Sequence, residues 1–82
     1  MDVRGLILTK LGENVRMLRE RKHISQERLT LEASLERTYI SQVERGKRNV
    51  SLVNLCRLAY VLQVPPASLV EGIEWVAEEE DH

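Results

Sequence analysis

Apolar residues recur at intervals of three and four along most of this 82-residue chain. Leu8, Leu11, Val15 and Leu18 have spacings of three, four and three, which places them on one face of a helix over about 6–22. No segment combines apolar–polar alternation, β-branched residues and turn pairs, as a β-hairpin would. The pattern therefore predicts an all-α fold.

The middle of the chain predicts two short helices joined by a tight turn. Ser25 is a suitable N-cap for a second helix over 26–34, because its hydroxyl can accept a hydrogen bond from an early helical amide. A third helix is expected over 37–45, and Gly46 supplies the left-handed residue that commonly ends a helix. This helix-turn-helix, over about 26–45, is the geometry in which the second helix enters the DNA major groove.

The last third of the chain predicts two more helices. Ser51 is a suitable N-cap for the fourth helix, and Pro65-Pro66 ends it and starts a fifth over about 66–79. The inward residues of the fourth helix are expected to be Leu52, Leu55, Cys56, Ala59 and Leu62. Those of the fifth are expected to be Leu69, Ile73 and Val76, followed by a frayed tail over 78–82. The prediction is a compact five-helix bundle, a single domain over 1–82.

Composition excludes several classes of function. One cysteine permits no internal disulfide, and Cys56, His23 and His82 do not make a usual zinc ligand set. The apolar stretches are far shorter than a bilayer requires, and no export signal is visible, so we expect a cytoplasmic protein. The sequence contains no nucleophile–base pair and no phosphate-binding glycine loop. We therefore do not expect the protein to be an enzyme, or to bind a metal, a cofactor or a small-molecule ligand.

Charge is distributed unevenly along the chain. Residues 1–57 carry all twelve basic residues with seven acidic ones, whereas residues 58–82 carry six acidic residues and no basic one. A basic half is what a phosphate backbone attracts. Residues 1–57 are therefore a candidate nucleic-acid surface, although the net charge of the whole chain is −1.

Three short motifs resemble a known family. S-Q-E-x-L at 25–29, Y-I-S-x-V-E-R-G at 39–46 and R-N-x-S-L at 48–52 are similar to the phage-repressor and Cro-like (XRE) helix-turn-helix family. Within that family, the run from 37 to 49 is most similar to controller proteins of restriction–modification systems. The resemblance implies a lambda-repressor-like fold. Ser34 and His23 stand where the family often has glycine, or at His23 also asparagine, and Glu36 replaces the usual Ser or Thr cap.

The third helix is the expected recognition helix. An Arg37 guanidinium can donate twice to guanine, a Thr38 methyl can pack on a thymine methyl, and a Gln42 amide can pair with adenine. Tyr39 is ambiguous, because its ring can support the helix against the core while its hydroxyl reaches a phosphate or a base. The alternative for Arg37 and Gln42 is an ordinary solvated helix face.

Phosphate contacts require donors at helix starts and in nearby loops. The residues placed for this are Gln26, Ser41, Arg45, Lys47, Arg48 and Asn49. The alternative for Lys47 and Arg48 is an ordinary charged loop, and Arg48 and Asn49 could instead read the minor groove or the central bases. In the resembling repressors an arginine of helix 1 pairs with a glutamate of the recognition helix, which implies an ion pair between Arg19 and Glu44 that orients that helix.

The fifth helix is expected to carry more apolar surface than a single buried face needs, which favours self-association. We therefore expect a homodimeric, sequence-specific transcription regulator on pseudo-palindromic operators, with recognition helices about 34 Å apart in successive major grooves. The expected dimer residues are Tyr60, Val61, Val70, Ile73 and Trp75. For a controller protein the resemblance implies an autoregulatory circuit, with activation at low dose and repression at high dose. Activation would require RNA polymerase, for which Glu27, Glu32 and Glu36 are candidate contacts. The alternative is another XRE-type repressor or an antitoxin-like module that acts mainly through a protein partner.

Overall fold

The first helix, α1 (Val3–Arg21), is the longest element of the structure, a computed structural model that describes residues 2–77. It begins where the Asp2 carboxylate accepts a hydrogen bond from the backbone N–H of Gly5 at 3.0 Å, which satisfies one of the unpaired amides of a helix start. Residues 2–77 contain no strand, and none of their helices is long and apolar enough to cross a membrane. The all-α prediction is confirmed.

Two short helices follow, α2 (Gln26–Glu32) and α3 (Tyr39–Glu44). The Ser25 hydroxyl caps α2 as predicted, accepting from the backbone N–H of Arg28 at 3.0 Å. Gly46 is left-handed, with φ of +71°, and ends α3 as its position predicts. The helix-turn-helix arrangement of the prediction is therefore present, although both helices are shorter than expected.

The start predicted for the recognition helix is wrong by two residues. Arg37 and Thr38 lie in the turn that precedes α3, where the N–H of Tyr39 donates to the carbonyl oxygen of Glu36 at 3.0 Å. Thr38, at the N-cap position, makes no side-chain capping bond. Glu36 is a poor cap because its side chain is longer than those of Ser, Thr, Asp and Asn, which favour this position, and the chain makes one further turn before α-helical geometry begins.

The fourth helix, α4 (Leu52–Leu62), is capped by the Ser51 hydroxyl, which accepts from the backbone N–H of Asn54 at 3.1 Å. Two of its predicted core residues are wrong: Leu52 is 73% exposed and Cys56 is exposed. The buried face of α4 consists of Leu55, Leu58, Ala59 and Leu62. Cys56 follows Leu55 by one position, about 100° around the helix, and so points away from that face.

The predicted fifth helix is also wrong. Pro66–Leu69 forms only a four-residue 3-10 helix, so residues 2–77 contain four α-helices. The buried Asn14 amide explains this difference, because Nδ2 donates to the carbonyl oxygens of Leu69 and Glu71 at 2.9 Å each. These bonds tie the chain on both sides of Val70 to α1, and Gly72, with φ of +77°, is left-handed and turns the chain away from helical geometry. Residues 73–77 are irregular, and residues 78–79 of the predicted helix and the expected frayed tail lie outside the described residues.

One hydrophobic core joins the elements. α1 packs on α3, α3 on α2, and α4 on the 3-10 helix. The fully buried side chains come from every element: Val3, Val15, Leu29, Ile40, Val43, Leu58 and Leu69. The core therefore fixes the back of α3 and leaves its opposite face to solvent.

Candidate nucleic-acid interface

α3 divides its side chains between the core and the surface. Tyr39, Ile40 and Val43 are buried, whereas Arg37 and Thr38 are exposed in the turn at its N-terminus. Gln42 is half-buried on the same outer side of the helix. The structure thus brings together at one end of α3 the side chains whose donors, acceptors and methyl group suit base edges.

Glu44 anchors the other end of α3. Its carboxylate accepts from Arg19 Nε at 2.6 Å and from Arg19 Nη2 at 3.0 Å, a bidentate pair across α1 and α3. Glu44 is 4% exposed at its side chain and Arg19 13%. The hydrogen bond to Glu44 raises the pKa of the Arg19 guanidinium, so the pair keeps its cation throughout the ordinary pH range.

Two further donors complete this anchor. Arg19 Nη1 donates to the carbonyl oxygen of Ile24 at 2.9 Å, which ties the link between α1 and α2 to the same guanidinium. Gln26 Nε2 donates to Glu44 Oε1 at 3.0 Å. The side chain of Gln26, expected at a phosphate, therefore also holds the helix-turn-helix together.

Gly12 sets the distance between α1 and α3, a role that the sequence prediction missed. A Cβ at Gly12 would lie against the carbonyl oxygen of Val43 and 2.8 Å from that of Glu44. Those are backbone atoms at the end of α3, and they cannot rotate away as a side chain can. A glycine inside a helix costs about 1 kcal/mol relative to alanine, so its presence was a signal of close backbone approach.

A polar cluster covers the N-terminal half of α3. Arg48 Nη1 donates to Glu36 Oε1 at 2.6 Å and to Gln42 Oε1 at 2.7 Å, and its guanidinium lies 4.5 Å from the centre of the Tyr39 ring. Tyr39 is only 3% exposed, and its hydroxyl accepts from Asn54 Nδ2 at 3.1 Å. Direct base contact by Tyr39 would therefore require movement of Arg48 or Asn54.

The remaining predicted phosphate contacts lie along α3 and just after it. Arg45, Lys47 and Asn49 are exposed, and Ser41 is half-buried. The Ser41 hydroxyl donates to the carbonyl oxygen of Thr38 at 2.9 Å, and Arg45 Nε donates to the carbonyl oxygen of Ser41 at 3.2 Å. Lys47 and Asn49 carry donors that the described side chains do not engage, so they are available to an anion.

The five residues predicted for a dimer interface differ in their exposure to solvent, and three of them border two different grooves. Tyr60 is 85% exposed and Trp75 69% exposed, and Val70 is also exposed. Val61 and Ile73 are half-buried and pack against the chain's own core. Ile73 borders a groove beside the start of α1, whereas Tyr60 and Val61 border one between α2 and α4.

Comparison with known proteins assigns this arrangement to a family. The helix-turn-helix family profile matches residues 15–69. The chain is 46% identical over 61 residues to the control protein C.BamHI of Bacillus amyloliquefaciens, covering 73% of this chain and 75% of that protein. It is 41% identical over 69 residues to the control protein C.MunI of Mycoplasma sp, covering 83% of this chain and 93% of that protein.

A solved structure shows the same fold. The restriction-modification controller protein C.AhdI of Aeromonas hydrophila superposes with a TM-score of 0.74 at 48% identity, covering 76% of this chain and 94% of that one. The residues matched by the family profile begin inside α1 and include α2, α3 and α4, so the Arg19–Glu44 anchor lies within the matched region. The chain therefore belongs to the XRE-type helix-turn-helix family of sequence-specific, DNA-binding transcription regulators.

Proposed function

We propose that the chain, acting as one DNA-binding domain, controls a restriction–modification system as a homodimer on pseudo-palindromic operators, its own promoter included. The observation that carries the proposal is the exposed start of α3, with Arg37 and Thr38 outward while Glu44 is anchored behind it. The names of the similar control proteins supply the biological setting. The basic half of the chain supplies the attraction to phosphate.

The base contacts are assigned to the outer side of α3. Arg37 would donate to guanine O6 and N7, and Thr38 would place its methyl group against a thymine methyl. Gln42 and Tyr39 are the further candidates, both held by the Arg48 cluster. Gln26, Ser41, Arg45, Lys47, Arg48 and Asn49 are the proposed phosphate contacts. These would fix the position of α3 on the duplex without reading its sequence.

Dimer formation is assigned to the exposed apolar side chains of α4 and of the C-terminal segment, residues 70–77. Tyr60, Val70 and Trp75 would contribute most of the contact, because they are exposed, and Val61 and Ile73 would flank it. Large aromatic side chains at the surface are enriched at protein interfaces. Two copies joined this way would present two α3 helices to successive major grooves.

The proposed circuit includes activation through RNA polymerase. Of the three candidate acidic contacts, Glu36 is bound to Arg48 and Glu32 to Arg28, while Glu27 lies exposed in the first turn of α2. Glu27 is therefore the favoured contact. Transcription with purified polymerase tests it: Glu27→Lys should lose activation while keeping operator binding, and retained activation would remove the assignment.

A gel-shift titration against the DNA upstream of the chain's own gene, with random competitor at two salt concentrations, tests the DNA-binding proposal. We expect salt-sensitive shifts that survive competitor and appear in two cooperative steps. Arg37→Ala should cost about 1–3 kcal/mol on the specific site with little change on random DNA, because a base contact is lost.

Lys47→Ala is the matched control. It should weaken binding to all sequences alike and lower the salt slope by about one, because only a phosphate contact is lost. Equal losses for Arg37→Ala on specific and random DNA would make Arg37 a phosphate contact. No shift above competitor would direct the search to a protein partner.

A further inference from the structure

A carboxylate stands at the surface that the proposed function assigns to DNA. Glu36 immediately precedes Arg37 and Thr38, the exposed residues before α3, and its own side chain is mostly exposed. Among residues 2–77 its carboxylate accepts from Arg48 and from no backbone amide, so it does not cap α3. A negative charge in this position is repelled by phosphate. Neither the fold nor the base contacts proposed above account for it.

Arg48 is the cation that faces this carboxylate. Its Nη1 donates to Glu36 Oε1 at 2.6 Å, and also to Gln42 Oε1 at 2.7 Å. Its guanidinium lies over the ring of Tyr39, 4.5 Å from the ring centre. Tyr39 and Gln42 both belong to α3, so these contacts hold the Glu36–Arg48 ion pair beside the N-terminal half of the recognition helix.

The ion pair has no net charge. A guanidinium has five N–H donors, so Arg48 keeps donors with which to contact a phosphate while it is paired with Glu36. What the carboxylate removes is the electrostatic gain, because attraction to DNA and release of counterions follow the net charge brought to the phosphates. Arg45 and Lys47 differ in this respect, because neither pairs with a carboxylate in the part of the chain that the structure describes.

We propose that Glu36 sets the affinity for DNA, by cancelling the charge of Arg48 at the DNA surface and so lowering binding to every sequence alike. This inference deepens the proposed function and rests on DNA binding by this face. It gives Arg48 no net attraction to phosphate, in contrast to Lys47. Removal of the carboxylate should therefore strengthen binding, which is the opposite of what removal of a DNA contact does.

The test compares the wild type, two single variants and their double variant by the dissociation constant for a duplex of random sequence, over a series of salt concentrations. Glu36→Gln leaves one positive charge on the pair, and should bind roughly three- to tenfold more tightly at about 0.1 M salt, with a salt slope steeper by about one. Arg48→Met leaves one negative charge, and should bind more weakly by a similar factor. The double variant is neutral, as the wild-type pair is, and should bind like the wild type.

Two control variants make the test specific. Lys47→Met removes a charge that no carboxylate cancels, and should weaken binding and lower the salt slope by about one. Glu20→Gln removes a similarly exposed carboxylate from its pair with Arg16 in α1, outside the helix-turn-helix. It changes the net charge of the chain exactly as much as Glu36→Gln does. It should have the smaller effect, because salt screens charges that lie away from the phosphates.

Several results would overturn the inference. These are unchanged or weaker binding by Glu36→Gln, an equal gain for Glu20→Gln, or a double variant that binds as weakly as Lys47→Met. Exposed ion pairs add little to stability, so Glu36→Gln tests the inference even where Arg48→Met fails to fold. A wild-type protein that binds neither random DNA nor the DNA upstream of its own gene would instead overturn the proposed function. The two failures are therefore distinguishable.

Discussion

The carboxylate of Glu44 joins the recognition helix to α1 and to the start of α2, in addition to the apolar contacts of α3 with the core. It is almost fully buried and accepts from Arg19 twice and from Gln26 once. A buried charge without its partner is strongly unfavourable, because it has lost water and gained nothing in exchange. The ion pair therefore acts mainly to fix position, and its importance appears when one partner is removed.

Arg19→Met should lower the free energy of unfolding by about 3–5 kcal/mol, because Glu44 would remain buried without its cation. Urea denaturation followed by circular dichroism measures this. Adding Glu44→Met in the same chain should recover most of the loss, since an apolar pair leaves no charge uncompensated. A loss below about 1 kcal/mol for the single variant would show that water reaches Glu44.

Arg28→Met is the control for that measurement. Arg28 Nε pairs with Glu32 Oε2 at 3.1 Å, but both side chains are largely exposed and one turn apart on α2. Such pairs contribute about 0.3–0.5 kcal/mol. The contrast between the two arginines separates burial from ion pairing as the cause of the effect.

Ser34 is held in a left-handed conformation, with φ of +57°, in the turn between α2 and α3. Ser34→Gly should raise the free energy of unfolding by about 0.5–1 kcal/mol, because glycine adopts this conformation without steric cost. The gain is smaller than the strain released, since glycine also has more freedom in the unfolded chain. Thermal denaturation measures it, and Ser34→Ala, which keeps the Cβ, should give no gain.

At the scale of elements, the sequence predicted what local patterns determine. The spacing of apolar residues and the serine caps predicted the positions of α1 to α4. The tight turn after α2, together with Gly46 at the end of α3, identified α3 as the recognition helix. It did not predict that the fifth helix would be reduced to Pro66–Leu69. That outcome depends on Asn14, which is 55 positions away from Leu69 along the chain, and one-dimensional periodicity contains no information on such a contact.

The candidate site shows the same division. The outward position of Arg37 and Thr38 follows from the helix-turn-helix spacing, and the partner of Glu44 from family resemblance. The cluster of Glu36, Arg48 and Asn54 was missed, because each residue comes from a different segment. Two of these segments have no regular structure, so periodicity cannot place their side chains.

The approach of α1 to α3 gives a prediction at this scale. Gly12→Ala should lower the free energy of unfolding by about 1–3 kcal/mol, and also weaken operator binding, because the new methyl group must displace the end of α3. Denaturation and gel shift measure the two effects. Binding should weaken more on the specific site than on random DNA, since displacement of α3 changes base contacts first.

Gly5→Ala is the matched control in the same helix. Its Cβ would meet the end of the flexible Asp2 side chain, which can rotate away. Alanine is the better helix former, so stability should stay within about 1 kcal/mol of the wild type. Equal behaviour of the two glycine variants would contradict a special role for Gly12.

For the whole molecule, the uneven distribution of charge along the chain favours different partners for its two parts. The basic residues lie in the part of the chain that contains α3, and the C-terminal segment carries only acidic charge. An acidic segment close to DNA would be repelled by phosphate, so the dimer contact is expected on the side away from DNA. The large exposed side chains Tyr60 and Trp75 are in that C-terminal part.

Trp75, the sole tryptophan of the chain, can report dimer formation directly. Its fluorescence should shift to shorter wavelength, and become protected from an aqueous quencher, as protein concentration rises, because the exposed indole becomes covered. Tyr60→Glu should keep the long-wavelength emission at every concentration. Sedimentation of both proteins provides the independent measure. Dimers that form without a change at Trp75 would place the interface elsewhere.

The short α3 has a consequence for how such regulators diversify. Its residues Ile40, Val43 and Glu44 pack against the rest of the domain. Gln42, and Arg37 and Thr38 in the turn before the helix, make up little of the core. If these outer residues contact bases as proposed, changes there should alter which operator is bound at little cost in folding. Two restriction–modification systems that enter one cell would then have regulators with the same scaffold and different operator preferences, and each regulator should not act at the other system's promoter.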